Sequence, residues 1–316
     1  MPKSNPTSES APFAPVCVPK RLPLEALEKA AKAAVGENPM NHAPVHRLLR
    51  IMPKLDLTPQ HIGVLTTKYW GAGGKTFSVS FMDGESAALR SAILLHMNAW
   101  SQTANVRFRE TNGVGEVRIA RLTGQEGGYW SYLGTDILSR PQDEPTMNLE
   151  GFTMTTPESE FRRVVRHETG HTLGFPHEHM RKELVDKIDV QKAIIHFGQT
   201  QGWSPEEVRR QVLTPIEESS LLGTPHPDPF SIMCYEIPGK ITKDGKPIIG
   251  GTDIDEQDFE FAAQIYPKPK NAPFEKSETS DVQRACADAV VIEFENGDVN
   301  RIRINGASSR NQEDSK

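Results

Sequence analysis

The centre of the chain carries an apolar and polar pattern typical of strands. Residues 105–109 and 116–120 alternate polar with apolar positions, and residues 76–82 also have the composition of a strand. Further strand candidates are residues 129–133 and 147–152. Between the first strand and the second, apolar residues recur at helical spacing and predict a helix over 85–100: Leu89, Ala92, Ile93, Met97 and Trp100.

A second helix is predicted to begin near Thr156. Thr156 is a suitable N-cap, Pro157 suits the first helical turn, and two glutamates follow where the helix dipole favours negative charge. Apolar residues at 161, 164 and 165 face inward. The C-terminal end of this helix then carries residues 167–171, whose side chains bear the chemistry discussed below.

The patterning divides the chain into three zones. Residues 1–60 form an N-terminal flank, in which Met1–Pro19 is expected to be disordered or extended and 24–35 to form a short helix. A compact domain is predicted over 61–267, with a closing helix at 254–265. Residues 268–316 form a linker and a β-hairpin tail, with Asn-Gly at the turn.

Composition narrows the possible classes of protein. With a net charge of -6 and no long basic run, the 316-residue chain offers no nucleic-acid surface. No apolar stretch approaches the ~18 residues needed to span a bilayer. Three cysteines make no disulfide framework, and the N-terminus lacks the apolar core of a secretory signal. We therefore expect a cytoplasmic protein, or one exported without a cleavable N-terminal signal.

One stretch, residues 167–178, concentrates the chemistry and has the form H-E-x-x-H-x-x-G-x-x-H-E. His167 and His171 lie four residues apart, so a helix presents both imidazoles on one face. Gly174 permits a turn that ends the helix, and His177 then returns as a third nitrogen ligand. Three protein ligands leave one coordination position open, which is typical of catalytic zinc sites. The alternative is a helix with incidental surface histidines.

The long motif resembles that of the metzincin metallopeptidases. Three further features are similar to the astacin branch: Glu178 directly after the third histidine, the S-x-M-x-Y pattern of residues 231–235, and a closing helix that runs to Tyr266. The resemblance covers about residues 61–267. It implies an α+β, zincin-like catalytic domain with a twisted mixed sheet, an active-site helix and a lower subdomain of loops and helices.

The resemblance also implies roles for particular residues. His167, His171 and His177 would bind one catalytic zinc ion, and Glu168 would be the general base for a zinc-activated water that hydrolyses peptide bonds. Tyr235 would donate its hydroxyl to the oxyanion; its alternative role is that of a packed aromatic residue. Met233 would form an apolar floor beneath the metal, and residues 128–134 would hold the edge strand that pairs with an extended protein or peptide substrate.

Three questions stay open at the level of sequence. Without an evident processing site, Glu178 is expected to orient a neighbouring histidine or to bind Arg181. A thiolate from Cys17 is a hypothetical ligand of the open zinc position, which would make the enzyme latent; the alternative is an unremarkable thiol in a disordered tail. The alternative function for the whole chain is a catalytically silent protein that binds peptides or zinc.

Overall fold

A five-stranded mixed sheet forms the upper part of the domain. Its strands run in the order β2-β1-β3-β5-β4, and β4 alone is antiparallel to its neighbour. Their bounds are β1 Lys75–Phe81, β2 Val106–Glu110, β3 Val117–Ala120, β4 Tyr129–Ser131 and β5 Met147–Leu149. All five predicted strands are confirmed, although β4 and β5 are shorter than expected. This computed structural model describes residues 17, 20–55, 57–58, 65–215 and 226–269, and the backbone of 290–295 and 298–304.

Aromatic and aliphatic side chains bury the sheet under two helices. Phe77 lies opposite Phe108 in the register of β1 and β2, and their rings stack with centroids 4.8 Å apart. The predicted helix over 85–100 appears as α3, Ala87–Met97, and a following 3₁₀ turn, Asn98–Gln102. Ser86 caps α3 by accepting a hydrogen bond from the Leu89 amide at 3.2 Å. The C-terminal end of α3 packs against the helix that carries the histidine motif.

The motif helix consists of three consecutive segments: α4 Glu158–Glu160, a π-helical turn Phe161–Val165, and α5 Arg166–Thr172. The predicted N-cap at Thr156 is wrong, because the helix begins after Pro157, whose ψ of 145° is extended. The Thr156 hydroxyl instead accepts a hydrogen bond from the Thr153 amide at 3.0 Å. The Thr156 side chain therefore stabilises a tight turn and is not available to cap the helix.

A lower subdomain of loops and short helices has its own apolar cluster. Its helices are α6 Lys182–Val185, α7 Val190–Gln201 and α8 Pro205–Val208, the last continuing into a π-helical turn, Arg209–Leu213. The cluster includes Leu184, Ala193, Phe197, Val208 and Ile237. The predicted closing helix is confirmed as α9, Glu256–Ile265, which begins with a capping box between Asp255 and Asp258. The expected α+β class, with sheet above and helices below, is therefore confirmed.

The segment before residue 61 contributes to the main core. It contains α1 Leu27–Glu37 and α2 Ala43–Ile51, with Ala30 packed in the main cluster. Asn41 is fully buried: its amide nitrogen donates to the carbonyls of Ala34 and Tyr69, each at 2.8 Å, and its oxygen accepts from Thr67 and from the Tyr69 amide. The domain boundary at residue 61 stays a prediction.

The C-terminal tail forms the predicted hairpin. Strands β6, Val290–Glu295, and β7, Asp298–Ile304, pair antiparallel. The Asn-Gly turn, most of the linker, and Met1–Val16 lie outside the described residues. None of the helices in the described ranges has the length and apolarity needed to cross a bilayer.

Candidate metal centre and active site

The end of α5 and a glycine turn bring three imidazoles together. Gly174 follows α5 with a φ of +94°, a conformation that glycine adopts at little cost. A Cβ there would lie 3.0 Å from the Lys68 carbonyl oxygen, so a side chain at this position would also crowd the backbone of Lys68. The chain reverses at this point and His177 returns beneath α5.

The three Nε2 atoms converge. His177 Nε2 lies 3.0 Å from His167 Nε2 and 2.9 Å from His171 Nε2. Cys17 completes the group, and the ligand atoms of all four residues lie within 4.8 Å of one another. The sequence motif therefore brings its three histidines to one point, and the thiol comes from a residue far away along the chain.

Backbone carbonyls fix the tautomer of two of the imidazoles. His167 Nδ1 lies 2.6 Å from the Ile232 carbonyl oxygen, and His171 Nδ1 lies 2.8 Å from that of Phe175. A carbonyl only accepts, so each Nδ1 carries the proton and each Nε2 presents a lone pair. Both lone pairs point at His177 Nε2, which has at most one proton to offer. A cation satisfies all three atoms at once.

The spacing fits a tetrahedral zinc ion. With zinc–nitrogen bonds of about 2.0–2.1 Å, neighbouring ligand nitrogens lie about 3.4 Å apart, so the rings need to part by about half an ångström. Burial also suits neutral ligands: it lowers the pKa of His171 to about 4 and that of His167 and His177 well below their usual value. The donor set therefore fits zinc.

Glu168 lies in the same buried space with its carboxylate uncommitted. The residue is fully buried, and neither oxygen completes a hydrogen bond with a described residue. Burial raises its pKa to about 8, against the opposing effect of Cys17 and Arg163. An orphaned carboxylate beside a cation site is available to act on a proton there.

Tyr235 lies between the histidines and the N-terminal segment. Its ring packs against those of His177 and His179, at centroid distances of 4.4 and 4.1 Å. Its hydroxyl donates to the Cys17 carbonyl oxygen. His179, two residues after the third histidine of the motif, is fully buried and stacks on Tyr235. No local signal could have shown this contact, because it depends on how residues 231–235 return to the helix.

Met233 packs directly beneath α5. Its side chain is 2% exposed. A Cβ at Gly170, the residue before His171, would lie 3.2 Å from Met233 Cε, 3.3 Å from Trp100 Cζ2, and nearer still to the Met233 sulfur. The absence of a side chain at Gly170 is what allows methionine and helix to meet beneath the imidazoles.

A cavity of about 400 Å³ opens beside the histidines. It is lined by residues of three regions, the sheet edge, the motif helix and the segment after residue 230: Tyr129, Arg163, Glu168, Tyr235, Ile249 and Gly250. The upper rim is β4, the edge strand predicted within residues 128–134, so its edge position is confirmed. Cys17 forms an isolated parallel bridge with Tyr129 on that edge.

Glu178 points away from the imidazoles, towards Arg181. Its Oε2 lies 3.6 Å from Arg181 Nη1, and burial raises the pKa of this carboxyl to about 7. Of the two expected partners, the structure therefore places Arg181 near Glu178. The pair borders a small cavity of about 40 Å³ on the side of α5 that faces Met233.

Comparisons with known proteins identify a matching family model and two related proteins. The family model of Astacin, a zinc peptidase family, matches residues 66–236, more than half of the chain. The chain is 28% identical over 140 residues to the dorsal-ventral patterning protein tolloid of Drosophila melanogaster, which is 43% of this chain and 12% of that protein. It is 26% identical over 121 residues to zinc metalloproteinase nas-27 of Caenorhabditis elegans, 38% of this chain and 26% of that protein.

A solved structure supports the same fold. Myroilysin superposes with a TM-score of 0.60 at 29% identity, covering 64% of this chain and 97% of that one. The chain spans only about an eighth to a quarter of the length of the two sequence relatives above. The architecture is the metzincin fold that the motif and the strand pattern predict.

Proposed function

The chain belongs to the astacin family of peptidases, and from this premise we propose that it is a zinc-dependent endopeptidase. The observation that carries the proposal is the convergence of three Nε2 atoms, two with lone pairs fixed by backbone carbonyls, beside an uncommitted carboxylate. The similarity to zinc metalloproteinase nas-27 supports zinc as the metal.

His167, His171 and His177 would hold the ion and leave a fourth position open. Zinc bound there would polarise the scissile carbonyl and bring the pKa of a water close to 7. The hydrogen bonds from Nδ1 of His167 and His171 keep both rings oriented toward the ion and increase their basicity.

Glu168 would act as the general base. Its buried carboxylate, free of other hydrogen bonds among the described residues, would take the proton of the attacking water and pass it to the leaving amine.

Tyr235 would donate its hydroxyl to the developing oxyanion. The ring is fixed by its stacking on His179, so only the hydroxyl has to find a new acceptor when substrate replaces the Cys17 carbonyl. The substrate would be an extended protein or peptide segment paired with the free edge of β4, where Tyr129 already bridges another stretch of chain.

The test is the substitution Glu168→Ala, in the parent and in a Cys17→Ser background so that the thiol cannot mask activity. Zinc content, measured by mass spectrometry of the metal, should stay at one ion per chain, while cleavage of casein or a peptide library falls below detection. Glu158→Ala, an exposed carboxylate at the start of the same helix, is the matched control and should cleave normally.

Unchanged turnover in Glu168→Ala would refute the role of the base. Zinc-loaded protein that cleaves nothing in either background would refute the peptidase and favour the silent binding protein. We do not favour that reading, because the carboxylate that a degenerate site would be expected to lose is in place.

A further inference from the structure

We propose that Asp258 is a positioning residue for the zinc ligand His167. It acts through the Ser231 hydroxyl and through the peptide group that joins Ile232 to Met233. The inference rests on the proposed function for the identity of the metal, and it adds a residue that sets how strongly the metal is held. It is carried by a continuous chain of three hydrogen bonds that runs from helix α9 to the imidazole.

The chain of hydrogen bonds starts at the carboxylate of Asp258. Its Oδ1 lies 2.6 Å from Ser231 Oγ, which in turn lies 3.0 Å from the Met233 amide nitrogen. Because an amide only donates, Ser231 Oγ accepts from it and gives its own proton to the carboxylate. The other end of that peptide group is the Ile232 carbonyl, whose oxygen lies 2.6 Å from His167 Nδ1. All three donors therefore point the same way, from the imidazole towards the carboxylate.

A chain of hydrogen bonds with one direction transmits the effect of the charge at its end. The carboxylate of Asp258 draws the hydroxyl proton, and each acceptor along the chain becomes a stronger acceptor for the next donor. The Ile232 carbonyl oxygen thus draws more strongly on the Nδ1 proton of His167, which raises the basicity of Nε2, the atom that would hold the ion. Asp258 is 8% exposed and Ser231 2% exposed, so little solvent screens the charge.

His171 has a carbonyl partner of the same type but no such chain behind it. Its Nδ1 donates to the Phe175 carbonyl oxygen at 2.8 Å. The peptide group of that carbonyl joins Phe175 to Pro176, whose nitrogen carries no hydrogen. No donor therefore continues the chain through this peptide group. Of the two histidines on the helix, only His167 is linked to a carboxylate in this way, and His171 serves as a reference within the same site.

Asp258 also anchors the turn that carries the Ile232 carbonyl. Its Oδ2 accepts hydrogen bonds from the Ile232 amide at 2.8 Å and from the Asp255 amide at 3.2 Å. On the other side of the turn, the Met233 carbonyl accepts from the Glu178 amide at 2.9 Å, directly after the third histidine. The turn thus contacts both ends of the histidine motif, so a loss of anchoring alone would disturb both ends.

The experiment compares Asp258→Asn with Asp255→Asn in the full chain. In Asp258→Asn the side-chain oxygen can still accept from the backbone amides and the NH₂ group can donate to Ser231 Oγ. The shape is kept, while the charge and the direction of the first hydrogen bond are lost. Asp255→Asn removes the same charge at the start of the same helix, keeps a favourable N-cap and leaves the chain to His167 intact.

The first measurement is the zinc dissociation constant, obtained by competition with a chelating dye. We expect it to rise about tenfold or more in Asp258→Asn, as is typical when a residue that orients a metal-binding histidine is changed. Asp255→Asn should match the parent. Ser231→Ala removes the middle of the chain while Asp258 keeps its bond to the Ile232 amide, and it should weaken zinc binding in the same way. This variant keeps the test decisive if Asp258→Asn does not fold.

The second measurement is proton NMR of the ring N–H groups in zinc-loaded protein labelled with ¹⁵N-histidine. A stronger hydrogen bond moves the N–H proton downfield. We therefore expect the Nδ1 proton of His167 to move upfield in Asp258→Asn and in Ser231→Ala, while that of His171 stays in place. A residue that only anchored the turn would shift both protons or neither.

The outcomes separate this inference from the proposed function. An unchanged zinc dissociation constant in Asp258→Asn, or equal shifts of the two ring protons, would overturn the inference; if the parent also cleaves peptides, the peptidase stands. If zinc affinity and the His167 proton change as expected but the parent cleaves no peptide, the role of Asp258 stands and the peptidase is wrong. A parent that binds no zinc would overturn both.

Discussion

Substituting Gly170 tests how tightly the metal-binding helix rests on Met233. Gly170 lies inside α5, where glycine costs about 1 kcal/mol relative to alanine, so Gly170→Ala should stabilise the protein on helix propensity alone. Crowding in the core is expected to outweigh this gain in helix propensity, because the new methyl group would press on Met233 and lie 3.3 Å from Trp100 Cζ2. Both neighbours are buried, with 2% of Met233 and none of Trp100 exposed.

The size of the change in stability on Gly170→Ala follows from two opposing contributions, overpacking of the core and helix propensity. Overpacking a filled core costs about 1–3 kcal/mol, which outweighs the gain of about 1 kcal/mol in propensity. We expect Gly170→Ala to lower the free energy of unfolding by up to about 2 kcal/mol. The matched control is Gly198→Ala in α7, where a Cβ would meet only the Trp203 carbonyl at 3.5 Å, an ordinary contact. That variant should gain up to about 1 kcal/mol.

Urea unfolding followed by tryptophan fluorescence measures both variants. The proteins should be kept metal-free with a chelator, because zinc bound to the folded state alone would add its own stabilisation. A change in the midpoint at constant slope reports stability rather than a change in the exposed surface.

A double-mutant cycle with Met233→Ala isolates the contact. That substitution should cost about 2–5 kcal/mol alone and less in the Gly170→Ala background, where the added methyl group fills part of the cavity. Equal stabilisation by Gly170→Ala and Gly198→Ala would refute the packing argument, and so would additive effects of the two substitutions in the cycle.

Three further perturbations follow from the described contacts. Tyr235→Phe in the Cys17→Ser background should lower kcat by about 10²–10³ at unchanged zinc content, as expected for loss of an oxyanion donor; an unchanged kcat would leave Tyr235 a packed aromatic residue. Asn41→Ala should lower the free energy of unfolding by about 2–4 kcal/mol, since it leaves buried backbone groups unpaired; a change below about 0.5 kcal/mol in urea unfolding would contradict a structural role. Burial raises the pKa of Glu85 from 4.5 to about 7, so the folded state keeps a proton that the unfolded state releases between these values. Stability should therefore fall as pH rises from 4.5 to 7, and Glu85→Gln should remove that fall; an equal pH dependence of the thermal unfolding midpoint in both proteins would refute it.

Features encoded within a few residues were predictable from the sequence. The imidazoles of His167 and His171 share a face because a helix repeats every 3.6 residues, and Gly174 permits the turn that brings His177 back to them. The strands β1 to β3 were found for the same reason, since their side-chain pattern is local. Residues 290–295 pair with 298–304, as expected when only two residues, Asn-Gly, separate two strand-forming stretches.

Features that depend on distant packing were not predictable. Thr156 has a side chain suited to an N-cap, but its hydroxyl accepts a hydrogen bond from the Thr153 amide in the preceding turn and does not cap the helix. Asn41 has no sequence signal, because its partners are brought to it by the return of residues 67–69. Cys17 was recognisable only as a hypothesis, since 154 positions separate it from His171 and only the folded chain brings the two together.

The shortness of β4 bears on which proteins the cleft would accept. Tyr129–Ser131 offers three residues of backbone, and pairing along them demands a partner whose own amides and carbonyls are free. Helices and internal sheet strands of a folded target have none to give. The rate of cleavage at a site in a target protein would thus depend on how often that site unfolds locally. Sites with rapid amide hydrogen exchange would be cleaved first, and rigid cores would not be cleaved.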